Sequence, residues 1–266
     1  MSEPLNAVHI RAKLPQDLQA QVKTLEVLQT IDSTNTALAM RPAPPSGCSE
    51  VLLAEFQTAG RGRRGRSWLT SPGGALCLSL SWAFPQVPRE VGALSLAIGV
   101  CVLRALQAYG VTGAQLKWPN DILVGARKLG GILIELRTEP AGPACVVVGI
   151  GLNVSLSAEL LEAISAMGLP ATDLISEGLV NPSRNAIAAS VIDACLRGLM
   201  QFEREGLRPF VEEWQAADAL VGRAITTEEG TRGFARGIDA TGALLVETLQ
   251  GMRKFLSGDV TVRAIT

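Results

Sequence analysis

The chain has 266 residues, 47 % of them apolar, and a formal net charge of −1. That length suits one large domain with a small appended one, and the near-neutral balance excludes a global field that would steer nucleic acid or membranes to it. The five cysteines, Cys48, Cys77, Cys101, Cys145 and Cys195, are odd in number and lack CxxC spacing, so they read as small buried hydrophobes in a reducing cytoplasm and not as a disulfide framework or zinc site.

The N-terminus is mixed and polar, with no signal-peptide pattern, and the longest apolar run, Val91 to Leu103, is too short to span a bilayer. A soluble, cytoplasmic protein without membrane association is expected. His9 is the single histidine and lies near a terminus expected to be mobile. Imidazole bases and histidine metal clusters are therefore excluded, and any chemistry must rest on lysine, arginine, carboxylates and backbone N–H groups.

In chain order, Pro15 to Leu18 opens a short helix and Glu26 to Thr30 reads as a strand. Ile31 to Met40 is a turn entering a helix, with Ser33 or Thr34 placed to cap it; the same hydroxyls would reach a cleft shared with Gln57. A Pro-rich loop spans Arg41 to Ser49, and strands are expected over Val51 to Glu55 and Leu76 to Trp82. Val91 to Gly110 has the length and spacing of a core helix. Leu116 to Val124 is a strand, a polar turn and a strand; a hairpin turn at Gly125 to Lys128 leads into a strand to Arg137, and Val146 to Asn153 is another. Helices follow over Pro182 to Gly206 and Leu207 to Ala217. From Val221, short strands separated by Gly-containing turns, the last over Val260 to Ile265, suit a small SH3-like barrel. Neighbouring antiparallel strands with segregated helices define an α+β fold and not a doubly wound sheet.

Four stretches carry candidate chemistry. Between Gln57 and Trp68, glycines Gly60, Gly62 and Gly65 are interleaved with Arg61, Arg63, Arg64 and Arg66. Glycine lets backbone N–H groups approach a ligand, and each guanidinium offers a fork of donors to carboxylate or phosphate. A solvated basic surface and non-specific nucleic-acid binding are the plain alternatives, but the ordered spacing and the closing Trp68 favour a pocket. Lys117-Trp118-Pro119-Asn120-Asp121 is an ordinary β-turn sequence that also offers groups for a purine, a phosphate and magnesium. Lys128 is followed by Gly130 and Gly131, which leave room for a ligand, and Asn153 closes a glycine-bearing strand.

Taken together, DSTN, EFQTAGRGRRGRSW, KWPNDI, RKLGGILIE, GIGLNV and RGIDATGALLVE resemble, in this order, the biotin protein ligases, also called biotin–[acetyl-CoA-carboxylase] ligases. The resemblance covers nearly all of the chain from about Glu26. It implies a mixed, mostly antiparallel sheet with helices, like the class II aminoacyl-tRNA synthetase catalytic domain, over residues 1–218, and an SH3-like barrel over 219–266. It implies biotin and ATP as substrates, Mg2+, and transfer to the biotin carboxyl carrier protein of acetyl-CoA carboxylase, by a monomer or homodimer. Ser33, Thr34 and Asn35 would hold biotin, with Ser33 and Gln57 on its ureido ring. Gly60, Arg61, Gly62 and Arg63 would form a ligand-ordered loop, and Trp68 would pack on the vitamin's apolar part. Arg63, Arg66 and Lys128 would engage the carboxylate and α-phosphate beside Gly131, Asn120 and Asn153 would face adenine, and Asp121 would lie near the reacting carbonyl. The stretch before Glu26 is too short for the winged helix of bifunctional members, so nucleic-acid binding is not expected. The run of three glycines before a His-containing segment that marks lipoate–protein ligases is absent. A vitamin-sensing module without catalysis is the remaining rival, and Lys128 with the KWPND turn argues against it.

Overall fold

The computed structural model describes residues 3–137, 144–168, 170–256, 258 and 260–262. The chain begins with two short helices, α1 (Ala7–Lys13) and α2 (Gln16–Gln19). Asn6 starts the first by accepting the His9 N–H on its Oδ1 at 3.0 Å, satisfying one donor that a helix start leaves open. Ile10, Leu14, Leu18 and Val22 recur at every fourth position and are all buried. The segment around His9 is therefore packed on the core, not the mobile terminus expected of it. Buried Arg184 donates to the Glu3 carbonyl at 2.9 Å and pairs with Glu55 at 2.7 Å, while Asn185 donates to Pro4 O at 3.0 Å.

The main sheet comprises β1 (Val22–Ile31), β2 (Ser49–Gln57), β3 (Ala75–Phe84), β4 (Ala114–Lys117), β5 (Asp121–Val124), β6 (Arg127–Arg137) and β7 (Ala144–Asn153). Their order is β1-β2-β3-β7-β6-β5-β4. Every neighbouring pair is antiparallel except β1 and β2, which run parallel with Leu25 opposite Val51. A parallel pair needs a long crossover, and α3 (Thr34–Ala39) with the Pro-rich loop supplies it. The α+β expectation holds, with this parallel edge added to it.

Alternate residues of β2 belong to opposite faces: Val51 and Leu53 join the large core, whereas Leu52 packs with Leu38 of α3. Helices α4 (Leu94–Gln107) and α6 (Arg184–Glu205) pack together on the large-core side. The helix expected from Val91 starts with a single 3-10 turn over Val91–Ala93. Covered on both faces, β3 is buried from end to end, which makes the partners of its two serines informative. Ser81 accepts the Glu50 N–H at 3.2 Å; Ser79 serves the site described below. The shorter α5 (Ala158–Ala166) and α7 (Val211–Ala216) follow β7 and α6.

The C-terminal strands β8 (Ala224–Thr227), β9 (Arg232–Ile238), β10 (Leu244–Thr248), β11 (Gly251–Phe255) and β12 (Val260–Val262) form an antiparallel sheet in the order β11-β10-β9-β8-β12. The expected last strand ran to Ile265, and residues 263–265 lie outside those described. This sheet is tied to the first. Leu116 of β4 donates to Ala217 O and accepts from Ala219 N–H, both at 2.8 Å, and buried Trp118 donates its indole N–H to Gly242 O at 3.1 Å. Ile225, Ala235, Ile238, Leu244 and Val246 continue the core of the main sheet. Among the described residues no helix is long and apolar enough to cross a membrane.

Candidate active site

Strand register brings the four sequence stretches to one end of the sheet. Ile31 stands opposite Gln57, Ala75 opposite Asn153, Gly131 opposite both Gly151 and Asp121, and Lys117 opposite Asp121. The turn into α3, the arginine loop, the KWPND turn, Lys128 and Asn153 therefore converge, around a cavity of about 470 Å³.

One side of the cavity is built from short polar side chains held by one another. Ser33 caps α3, its Oγ accepting the Thr36 N–H at 3.4 Å. Thr34 donates its backbone N–H to Gln57 Oε1 at 2.8 Å, leaving the Gln57 amide nitrogen as the donor. The Thr34 hydroxyl lies 2.8 Å from Ser79 Oγ, Ser79 donates to Asn35 Oδ1 at 2.8 Å, and Asn35 Nδ2 donates to Glu135 Oε2 at 2.8 Å. Each hydroxyl carries a single proton. With Ser79 donating to Asn35, the Thr34 hydroxyl is left as the donor, its proton shared between Ser79 Oγ and Gln57 Oε1, which lies 3.0 Å away, and the chain runs on through Ser79 and Asn35 to the Glu135 carboxylate. Asn35, expected to touch ligand, has both ends of its amide engaged by protein.

Two glycines of β7 make that arrangement possible. A Cβ at Gly149 would lie 2.4 Å from Asn35 Oδ1, and one at Gly151 would lie 2.5 Å from the Trp68 indole. Alternate residues of a strand share a face, so bare backbone here admits Asn35 and Trp68 next to each other on the same face of β7. Cys77 faces the same cavity; burial pushes its thiol up to about 12, so it acts there as a small neutral group.

Opposite, the arginine loop turns back on itself. Trp68 N–H donates to Gly60 O at 2.8 Å and Gly62 N–H to Arg66 O at 2.7 Å, while Arg61 and Ser67 form a β-bridge. Arg64 at φ 57° and Gly65 at φ 73° make the left-handed turn at its tip. Gly60 lies behind Trp68, where a Cβ would meet the Trp68 carbonyl at 2.5 Å. It is the one expected site residue that does not line the cavity.

At the cationic end, Lys128 Nζ lies 2.5 Å from Asp121 Oδ1 and 5.9 Å from the centre of the Trp68 ring. Lys128 is on strand β6 and only 25 % exposed. The sequence placed it in the hairpin turn, but register draws it inward. Arg63 Nη1 reaches Asn120 Oδ1 at 3.4 Å and Gly258 O at 3.3 Å, and Arg66 Nε reaches Arg63 O at 3.5 Å. Asn120 is fixed by donating to Ile132 O at 2.7 Å. Asn153 donates to Thr172 O at 2.9 Å. Its Oδ1 and the Trp68 indole nitrogen are buried without a partner among the described residues, and both residues line the cavity. A donor and an acceptor on a bound molecule would satisfy them.

Sequence reasoning missed Ser79, Glu135 and Cys77, and it did not select Lys117, which is buried and lines the cavity. Nor did it find Ile164 and Met167, which line it from α5 and the residue after it. Lys117 and Glu135 stood inside quoted motifs without being given a role; the others gave no local signal, because only register and packing reveal where they point.

A hydrogen-bonding recess that continues into a cluster of cations defines a protein that holds a small molecule with an anionic end. Residues 27–153 match the biotin/lipoate A/B protein ligase family, and residues 222–263 match the biotin protein ligase C-terminal domain. The chain is 35 % identical over 244 residues to the bifunctional ligase/repressor BirA of Escherichia coli, covering 91 % of this chain and 74 % of that one. It is 34 % identical over 234 residues to the biotin–[acetyl-CoA-carboxylase] ligase of Mycobacterium tuberculosis, covering 85 % and 84 % respectively. The biotin protein ligase of Aquifex aeolicus, solved in complex with biotin and ATP, superposes with a TM-score of 0.75 at 28 % identity, over 91 % of this chain and 99 % of that one. This chain belongs to the biotin protein ligase family.

Proposed function

We propose that this chain condenses biotin with ATP to biotinyl-5′-adenylate and transfers the biotinyl group to a lysine of a biotin carboxyl carrier protein. The observation that carries this reading is the polarity of the cavity, with fixed neutral hydrogen-bonding groups at Ser33, Thr34 and Gln57 and with Lys128, Arg63 and Arg66 at the other end. Biotin has the same polarity, a neutral ureido ring joined by an alkyl chain to a carboxylate. Trp68 on the glycine-bearing strands lies between the two ends and suits the alkyl chain.

In the first step a biotin carboxylate oxygen attacks the α-phosphorus and pyrophosphate leaves. Two anions must meet for this, so Lys128, Arg63 and Arg66 lower the barrier by offsetting charge and fixing the approach. Asn120 and Asn153 serve the adenine. In the second step a neutral lysine amine attacks the acyl carbonyl and AMP leaves, with Asp121 accepting or orienting the amine proton. The mixed anhydride hydrolyses in water, and the loop from Gly60 to Ser67 shields it. Among the described residues no cluster of three or more metal-ligating side chains exists. Mg2+ therefore fits this site only as a companion of the nucleotide, held by phosphate oxygens with Asp121 as the lining carboxylate; when bound it would offset charge on the departing pyrophosphate.

We assign the reaction to residues 1–218, as a class II synthetase-like unit, and read residues 219–266 as an SH3-like barrel; the connector on β4 and the hydrogen bond from Arg63 Nη1 to Gly258 O support a role for it beside the site. Incubation with biotin, ATP, Mg2+ and an apo carrier domain, read by intact mass, tests the proposal. The expected result is a gain of one biotinyl group on the carrier. An unmodified carrier, or equal modification with lipoic acid, would overturn it.

A further inference from the structure

Glu135 joins the two sides of the cavity, and no motif reading or family likeness reported above gives it a part. Its Oε2 accepts from Asn35 Nδ2 at 2.8 Å, and its Oε1 pairs with Arg61 Nη1 at 3.1 Å. Arg61 also reaches Thr36 Oγ1 of α3 at 3.4 Å. The Glu135 side chain is 25 % exposed and Arg61 is 52 % exposed. One carboxylate thus ends the buried hydroxyl–amide chain and fastens the arginine loop.

We propose that Glu135 is a positioning residue for biotin binding: it sets the hydrogen-bond direction of the recess and latches the loop closed through Arg61. An amide at position 35 can present oxygen or nitrogen to Ser79, and only the carboxylate decides which, because it accepts and never donates. Asn35 must then turn its nitrogen to Glu135 and its oxygen to Ser79, which draws the Ser79 proton to Asn35 and leaves the Thr34 hydroxyl as a donor facing both Ser79 Oγ and Gln57 Oε1. Thr34 N–H remains on Gln57 Oε1, so the Gln57 amide nitrogen is presented as a donor. The recess is set before ligand arrives, and preorganised donors cost less on binding. A loop carrying four arginines repels itself, and an opposite charge on the adjoining strand opposes its opening. Arg61 is the loop arginine that this pairing holds at the sheet, next to Gly60, whose carbonyl accepts the Trp68 N–H.

The inference about biotin rests on the proposed function; the latch does not. Glu135→Gln disturbs both parts, and two measurements read them separately. A glutamine can turn either its oxygen or its NH2 group to Asn35, so the direction is no longer fixed, and it carries no charge to hold Arg61. Trypsin cleavage after Arg63 and Arg64 in the ligand-free protein reads the latch. Glu135→Gln and Arg61→Gln, the latter at a half-exposed position, should each speed cleavage about two- to fivefold, as expected of a half-exposed ion pair. Glu135→Gln should add nothing further in the Arg61→Gln background, because the shared contact is already gone. In a calorimetric titration Glu135→Gln should weaken biotin by a similar factor, with turnover at saturating biotin unchanged. Wild-type cleavage in Arg61→Gln, or effects of the two substitutions that multiply, would overturn the latch. A lowered turnover with unchanged biotin affinity would overturn the positioning role. The cleavage arm contains no biotin, so it decides the latch whether or not the wild-type chain activates biotin.

Discussion

The two sides of the cavity are made in different ways. The recess around Thr34, Asn35 and Ser79 uses short side chains on a strand and a helix start, all buried and bonded to one another. The other side uses long cations on a hairpin loop and on the first turn-facing residues of β6, and these stay partly exposed. A side that is fully partnered resists change and discriminates by shape. A side made of long cations yields and gathers around charge. On the proposed function, this contrast implies a division of labour: the sheet would recognise the neutral ring, and the loop and Lys128 would retain the reactive acyl phosphate.

The sharpest way to break that division is Lys128→Ala. It removes a charge facing the developing anion and should raise the barrier to adenylate formation by about 2–4 kcal/mol, with biotin's ring contacts intact. Pyrophosphate release from a variant with wild-type thermal stability checks this; wild-type release would refute the role of the cationic end.

Two glycine substitutions contrast the sides directly. Gly149→Ala places a Cβ against Asn35, whose amide is tied at both ends, whereas Gly151→Ala places one against Trp68 on the loop. Overpacking a fixed site costs about 1–3 kcal/mol. Gly149→Ala should therefore lower the unfolding free energy by that amount. Gly151→Ala should leave stability nearly unchanged and instead speed proteolysis of the loop. Denaturant unfolding and limited trypsin digestion of both variants measure the difference, and equal loss of stability in the two would erase the distinction between a fixed and a yielding side.

Asp218 tests whether burial without partners has the opposite effect to the bonded recess. It lies on the connector at β4, its Oδ1 accepts the Leu220 N–H at 2.8 Å, and its Oδ2 has no partner among the described residues. Burial pushes its carboxyl up to about 6. The folded state then holds the proton more tightly than the unfolded chain, so this group's contribution to stability is present at low pH and is lost as pH rises from about 4 to 6. Asp218→Asn should remove a slope on the order of 1 kcal/mol per pH unit across that window. Urea unfolding of both proteins at several pH values checks the sign, and parallel pH profiles would contradict it.

The smallest structural change should give the most visible leak. Arg63→Gly leaves the recess untouched and removes one of the cations at the acyl end, so adenylate should still form but dissociate faster and label exposed lysines on a bystander such as serum albumin. A streptavidin blot reads this; unlabelled albumin with adenylate bound as tightly as in the wild type would show that Arg63 does not retain it.

Much of this site was legible in the sequence because its parts are turns. KWPND and the glycine–arginine loop need particular residue types at consecutive positions, and such runs survive without knowledge of the fold. What depends on register was not legible. Lys128 read as a turn residue because the turn is two residues shorter than the sequence suggests, with β6 beginning at Arg127. Ser79 sits in an apolar run where a serine gives no sign of direction, and Glu135 is 100 residues from Asn35 in the chain. The parallel pairing of β1 with β2 was hidden for the same reason: β1 has mixed exposure, and no local pattern states which neighbour it chooses. The short helix after Pro15 was legible, but the terminus around His9 was misjudged as mobile because its anchors, Arg184 and Asn185, lie on α6.

Biotin-dependent exchange of labelled pyrophosphate into ATP tests the central claim most directly, because it reads activation in this cavity without any acceptor protein. The account predicts exchange that needs biotin, is not supported by lipoic acid, and falls sharply in Lys128→Ala. Exchange that is absent with biotin, or equal with lipoic acid, would contradict it.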